Sequence, residues 1–237
     1  MELNILYQDD YILAVDKPSG ILVHRGWAQD SVVLTDLVRG HLNCSFVYPL
    51  HRLDRQTSGI VLFALSKHAA SLFSNFFSEG LVAKIYLALV RGITPNFGIV
   101  DHPIPRKENG PRVNSLTEYL NFFHLETFPR YSSLILARPH TGRLHQIRRH
   151  LKHISHPIIG DANYGKGDIN RAFKANYGLD RMALHALSIS FPHPTSSKRI
   201  CLNSPLPHDL LLPFTNMGYL EKSLFDVYEG FSFSKNL

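Results

Sequence analysis

Cysteine is scarce in this chain: there are two in 237 residues, Cys44 and Cys201, and they form no Cys-x-x-Cys pair. That usage argues against a disulfide framework and against a zinc knuckle. No apolar run reaches the ~18 residues that a membrane-crossing helix needs, so no membrane partner is expected. The opening MELNILYQDD carries acids early and lacks the apolar stretch of a secretory leader. There is no His-Glu-x-x-His zinc motif, no glycine-rich phosphate loop, no internal repeat and no low-complexity linker. A cytoplasmic location fits these absences.

Hydrophobic residues make up 44% of the chain, which excludes a disordered reading and provides for a sizeable core. Acids are outnumbered, 19 against 25 lysines and arginines, for a formal charge of +6. That balance favours a polyanionic partner without proving one.

The chain opens on a strand, turn, strand pattern over residues 5–7, 8–10 and 11–15, broken by Lys17-Pro18-Ser19-Gly20. Ser31 can cap a helix over 32–42, and Ser66 one over 67–79 that stops at Gly80. Apolar or alternating runs at 60–65, 84–90, 115–120, 132–137 and 183–191 read as further strands, and 144–154 as a helix. Residues 92–114 and 160–181, rich in breakers and charge, read as two long loops, and no pattern emerges after Pro213. Strands outnumber helices and do not alternate with them regularly. The fold class expected is therefore α+β with a mixed, largely antiparallel sheet.

Three clusters carry the candidate chemistry. In His51-Arg52-Leu53-Asp54-Arg55-Gln56-Thr57-Ser58-Gly59, one carboxylate stands between two arginines. Such a run is commonly a solvated loop with surface ion pairs. The alternative is that the flanking cations favour an ionised Asp54, able to act as a nucleophile or to stabilise a cationic sugar. In Thr141 to Leu151, helical spacing sets Leu144, Ile147 and Leu151 on one stripe and puts Arg148 on the same stripe, with Arg149 and Lys152 pointing away. A buried arginine needs an anion, unless it snorkels at the stripe edge, and Asp54 is the candidate. Along Lys84 to Val90, Tyr86 lies on the strand face opposite Ile85, Leu87 and Leu89, as a core tyrosine or a platform for a base. His140, His145, His150, His153 and His156 are crowded, but their spacing does not put three imidazoles on one helical face, so no metal is expected. The basic residues between Arg143 and His153 are better suited to phosphates.

Together these clusters resemble the pseudouridine synthases of the large-subunit-rRNA type, whose motif is HRLD-x-x-TSG. The match is His51-Arg52-Leu53-Asp54 with Thr57-Ser58-Gly59, joined by Asp16 to Gly20, Lys84-x-Tyr86, Gly142-Arg143, His145 to Arg148 and Pro157 to Asp161. It spans roughly residues 3–205. The resemblance implies one catalytic domain over 1–237, built on a bent, mainly antiparallel sheet with flanking helices and a basic cleft. It also implies a tail from 214 to 237 and no separate N-terminal RNA-binding module.

By the same resemblance Asp54 is catalytic, Arg148 pairs with it and Tyr86 packs against the target uracil. Arg52 helps hold the place of the flipped nucleotide. Arg55, Arg143, His145, Gln146, Arg149 and Lys152 complete the RNA side of the site, and neither metal nor other cofactor is called for. Softer cues resemble the branch acting on uridine 65 of tRNA: Leu22 to Arg25 with Trp27, Arg148 to Leu151, and Asn170 to His185. The expected function is thus isomerisation of uridine to pseudouridine in tRNA by a monomer. An rRNA substrate, a non-catalytic RNA-binding module and a metal-dependent hydrolase are the rivals.

Overall fold

The computed structural model describes residues 3–25, 32–105, 110–196 and 198–219. Strands β1 (Asn4–Gln8) and β2 (Ile12–Lys17) form the opening hairpin. The turn closes because the Asp9 carboxylate accepts from the backbone N–H groups of Tyr11 and Ile12 at 2.7 and 2.9 Å. Helix α1 (Leu34–Leu42) and the short β3 (Tyr48–Pro49) lead to β4 (Ser58–Ala64). The foreseen cap Ser31 and Trp27 lie outside the described residues. Helix α2 (Lys67–Ser78) starts where expected, with the Ser66 hydroxyl accepting from the N–H of Ala69 at 3.1 Å.

Strand β5 (Ala83–Arg91) is followed by β6 (Phe97–Asp101), β7 (Ile104–Pro105), β8 (Arg112–Val113), β9 (Leu116–Leu125) and β10 (Ser132–Pro139). Then come α3 (Gln146–His153), α4 (Gly167–Tyr177), β11 (Leu184–Pro192), β12 (Arg199–Asn203) and α5 (His208–Asn216).

Ten of the strands form one sheet, along the path β1-β2-β4-β11-β5-β10-β9-β6 with β12 on β11 and β3 on β4. The β4–β11 pairing is parallel, and the other strand ladders are antiparallel. The fold is therefore α+β with a mixed, mainly antiparallel sheet. Strand β4 is buried along its whole length, and its Ile60, Val61, Leu62 and Phe63 each contribute about 1.5–3 kcal/mol through burial.

Both supposed long loops contain regular structure. Residues 92–114 hold β6, β7 and β8. Gly98, which reads as a breaker, lies under the ring of Tyr119 on β9, where any Cβ would collide with it. Within 160–181 lies α4, hidden because its buried side is reduced to Ile169 and Phe173. Gly178 ends it at φ 78°. Helix α5 runs through Pro213 into the stretch read as a tail, and Phe214, Met217 and Tyr219 are buried. Helix α3 begins two residues later than foreseen, because His145 adopts a left-handed backbone, φ 54°.

Candidate active site

Three elements bring the sequence clusters together. Asp54 sits in the loop entering β4, Tyr86 lies on β5 and Arg148 is on the first turns of α3. At the base of that loop β4 and β11 approach closely: Gly59 pairs with Ala186 and adopts φ 109°, and a Cβ there would run into the Ala186 backbone.

The loop behind Asp54 is held by two buried cations. The Lys17 ammonium donates to the carbonyls of Pro18, Ile21 and Arg55 at 2.9, 2.9 and 3.1 Å. Burial and nearby Arg181 push its pKa down to about 7, while three carbonyl acceptors on its three hydrogens select the charged form. Arg181 donates to the Gln56 carbonyl at 3.0 Å and to the Ser58 hydroxyl at 2.8 Å, and is itself paired with Asp209 of α5 at 2.9 Å. The Thr57 N–H donates to the Asp54 carbonyl at 3.0 Å. His51 accepts from the Leu62 N–H at 3.2 Å, and burial, assisted by Lys84, lowers its pKa to about 3. The carboxylate thus projects from a backbone fixed on both sides.

Arg148 is buried, as its stripe position requires, and donates to Asp54 Oδ2 at 2.8 Å. A second carboxylate, Asp161, shares it: Arg148 Nε and a terminal nitrogen reach its two oxygens at 2.7 and 3.0 Å. Asp161 is fully buried, which works to raise its pKa. The bonds from Arg148 and from the backbone N–H groups of Tyr164 and Asn163 overcome that and hold it low. Burial opposes the charge on Arg148 as well, yet the two carboxylates raise its pKa well above the ordinary value. Arg148 is therefore a bridge that ties the Asp54 loop to the buried turn after β10 and α3.

Asp54 stands on the ridge between two recesses. One, of about 810 Å³, is lined by Arg52, Leu53, Tyr86, Arg138, Arg143 and Ile147 among others. The other, of about 690 Å³, is lined by His24, Arg52, Arg55, Asp161 and Arg181 among others. Tyr86 is buried on the wall of the first. Burial, reinforced by the charge of Asp54, raises its phenol pKa strongly, so it stays neutral. Lys84, on the same face of β5, is pushed down to about 8 by burial and stays largely cationic near neutrality.

The remaining foreseen RNA-side residues divide. Arg52 and Arg143 are exposed at the cleft, and His145 lines both recesses. Gln146 is buried and commits its side chain to the protein. Its amide donates to the Leu116 carbonyl and Thr117 hydroxyl, and its oxygen accepts from Thr141 and the Arg143 N–H. It anchors the turn that presents Arg143 and His145. Arg149 and Lys152 line neither recess; they surround the ring of Tyr164, together with Arg148. The crowded histidines scatter. His150 is buried between the Thr117 hydroxyl and the His102 carbonyl, His153 stacks on His102, and His156 bonds the Arg91 carbonyl. No group of three possible metal ligands occurs among the described residues.

The cleft thus holds a carboxylate bound by a buried arginine, with a buried tyrosine on the same wall and arginines at its mouth. A model of the RNA pseudouridylate synthase family matches residues 11–153, which contain all three of these groups. This chain belongs to the RNA pseudouridylate synthase family. A tRNA pseudouridine synthase C of Haemophilus ducreyi is 39% identical over 238 residues, covering 92% of this chain and 97% of the relative. One from Pasteurella multocida is 40% identical over 223 residues, covering 85% and 90%. Among solved structures, Human RNA Pseudouridylate Synthase Domain Containing 1 has a TM-score of 0.74 at 26% identity, over 96% of this chain and 95% of that one.

The site residues that sequence reasoning missed are Lys17, Asp161, Tyr164 and Arg181. Asp161 had a signal, since Pro157 to Asp161 belongs to the matching pattern. The forked guanidinium of a buried arginine also has room for two carboxylates. Lys17 and Arg181 lay in the matching stretches Asp16 to Gly20 and Asn170 to His185, which assigned them no structural role.

Proposed function

We propose that this chain isomerises uridine to pseudouridine in tRNA, at uridine 65. The observation that carries the reaction is the Asp54 carboxylate held at 2.8 Å by buried Arg148 on the rim of a cleft that Tyr86 lines. The choice of tRNA rests on relatives named tRNA pseudouridine synthase C that match along nearly their whole length. The choice of uridine 65 rests on the softer sequence cues.

The target uridine leaves its stack, at a cost of a few kcal/mol, because the glycosidic bond is otherwise out of reach. Arg52 holds the vacated place in the RNA, and Arg55, Arg143 and His145 meet the strand along the recesses, offsetting that cost. Arg149 and Lys152 extend the basic surface, and Gln146 keeps the Arg143 turn in shape. The uracil packs on Tyr86. Asp54, held by Arg148, assists cleavage of the N1–C1′ bond. The base turns, C5 bonds to C1′, and the C5 proton departs while N1 regains one. Atoms and electrons balance within the nucleotide, so the reaction calls for no cofactor. Leu53 and Ile147 help exclude water, which would otherwise leave an abasic site. Asp54, Tyr86 and Arg148 come from one chain, so a monomer suffices, and a tRNA substrate places the reaction in the cytoplasm.

Purified protein incubated with unmodified total tRNA and with rRNA tests the substrate, with pseudouridine mapped by carbodiimide adducts and primer-extension stops. A stop at tRNA position 65, absent with Asp54→Asn, is expected. A stop in rRNA alone contradicts the tRNA reading and keeps the chemistry. No stop in either favours a non-catalytic RNA-binding module.

A further inference from the structure

His145 has features that its place among the RNA-side residues does not explain. It is one of three non-glycine residues among those described with positive φ, and it immediately precedes α3. A side chain with a Cβ takes that conformation uncommonly. The kink turns the imidazole back over the loop, so that Nε2 stands 3.7 Å from Asp54 Oδ1, the oxygen that Arg148 does not hold. Its other nitrogen, Nδ1, is 3.1 Å from the Tyr164 hydroxyl, and the two rings meet edge-on.

The hydrogen bonds around Tyr164 favour one placement of the ring proton. Arg149 Nε lies 2.9 Å from the same hydroxyl and can only donate, so the phenol oxygen accepts there. The phenol has one hydrogen of its own. Among the described residues the acceptor within reach is Nδ1 of His145. With the phenol donating to it, Nδ1 presents a lone pair, and in the neutral ring Nε2 then carries the proton and points it at Asp54. Burial lowers the pKa of His145; the carboxylate of Asp54 opposes this and Arg148 and Arg149 reinforce it, and the net shift favours the neutral ring.

We infer that His145 is a positioning residue for Asp54, locked by the Arg149–Tyr164 relay as the Nε2–H tautomer and aimed at Oδ1. This rests on the assignment of Asp54 as the reacting carboxylate. Arg148 restrains one oxygen of Asp54 from the side of Asp161. His145 faces the other. A sub-ångström movement on substrate binding brings the 3.7 Å separation to hydrogen-bond length. A neutral donor in this position orients the carboxylate without cancelling its charge, which an imidazolium would do. Tyr164 serves both arms, since its ring also lies under Arg148, 4.9 Å from the guanidinium carbon.

The tautomer is read from the free protein by long-range nitrogen–proton NMR on ¹⁵N-histidine-labelled samples, with His145 assigned by its absence in His145→Gln. The expected result is a neutral ring protonated on Nε2, with that preference lost in Tyr164→Phe. A ring protonated on Nδ1, or doubly protonated at neutral pH, overturns the proposal. Turnover then separates positioning from binding. His145→Ala is expected to lower kcat about a hundredfold, the scale of a misplaced reacting group, with a much smaller change in KM for the RNA. His145→Gln carries the same backbone strain but keeps an N–H near the Nε2 position. It should recover about tenfold or more over Ala, the worth of a hydrogen bond to a charged group. Equal kcat in the two variants, or an effect confined to KM, overturns the positioning role. A wild-type protein inactive on every RNA overturns the functional reading and the role of His145 with it, whereas the tautomer result stands independently of activity.

Discussion

Replacing Arg148 by alanine tests the core of the site, because the consequence for stability can be worked out separately from that for activity. Arg148 donates to both oxygens of Asp161, which is fully buried, and to one of Asp54, which is partly open to the cleft. Removing it leaves Asp161 with the N–H groups of Asn163 and Tyr164 on one oxygen and strips the other of its partner. Breaking a buried ion pair from one side costs about 3–5 kcal/mol, because a charge stays buried uncompensated. For a chain of this size that corresponds to a melting temperature lowered by roughly 6–20 °C. Differential scanning fluorimetry and calorimetry measure it.

The double variant Arg148→Met with Asp161→Asn removes the stranded charge while keeping an oxygen for Asn163 and Tyr164. It should recover most of the lost stability yet stay inactive, since Asp54 is still without its cation. A single Arg148→Ala variant as stable as the wild type would refute the burial argument. A double variant as unstable as the single one would show that uncompensated charge is not the cause.

Other consequences are as direct. Gly59→Ala drives a Cβ into the Ala186 backbone at φ 109° and is expected to give insoluble protein or a melting temperature lowered by well over ten degrees; a normal melting curve contradicts the close β4–β11 approach. Burial holds His51 at about 3 and His185 at about 4, below the ordinary 6.5 that both regain on unfolding. Between those values the unfolded chain binds more protons, so stability falls on acidification. The two histidines together remove about 4 kcal/mol between pH 8 and pH 5, and urea titrations at the two pH values should show a loss on that order. Tyr86→Phe keeps the ring and should retain most activity, whereas Tyr86→Ala should lose it; equal rates in the two would remove the ring from the reaction.

The parts legible in the sequence were those in which burial and chemistry point the same way. Arg148 on an apolar stripe demanded an anion, and the Asp54 partner follows from that physical requirement, as the 2.8 Å bond shows. Ser66 capped its helix as read, since a hydroxyl before an amphipathic run has a single local role. The misses lie where side-chain pattern is weak. Helix α4 shows its core just Ile169 and Phe173, too few to display a period. Strand β6 contains a glycine whose reason, the Tyr119 ring, comes from a distant strand. The roles of Lys17 and Arg181, though both lie in matching stretches, are hidden for a related cause. A fully buried lysine is improbable until the three carbonyls that receive it are in place, and while Pro18 and Ile21 are local, Arg55 comes from 38 residues away. The tautomer of His145 depends on Tyr164 and Arg149, nineteen and four residues away, which come together once α3 and the following turn are packed.

The most direct measurement of the central claim is tritium release from tRNA carrying ³H at C5 of its uridines, with wild-type protein and with Asp54→Asn, alongside RNA binding by both. Isomerisation expels the C5 hydrogen, so the wild type should release tritium in proportion to pseudouridine formed. Asp54→Asn should release none while binding RNA within about tenfold of the wild type, a difference of ~1.4 kcal/mol. Release undiminished in Asp54→Asn would contradict the assignment of Asp54 as the reacting carboxylate.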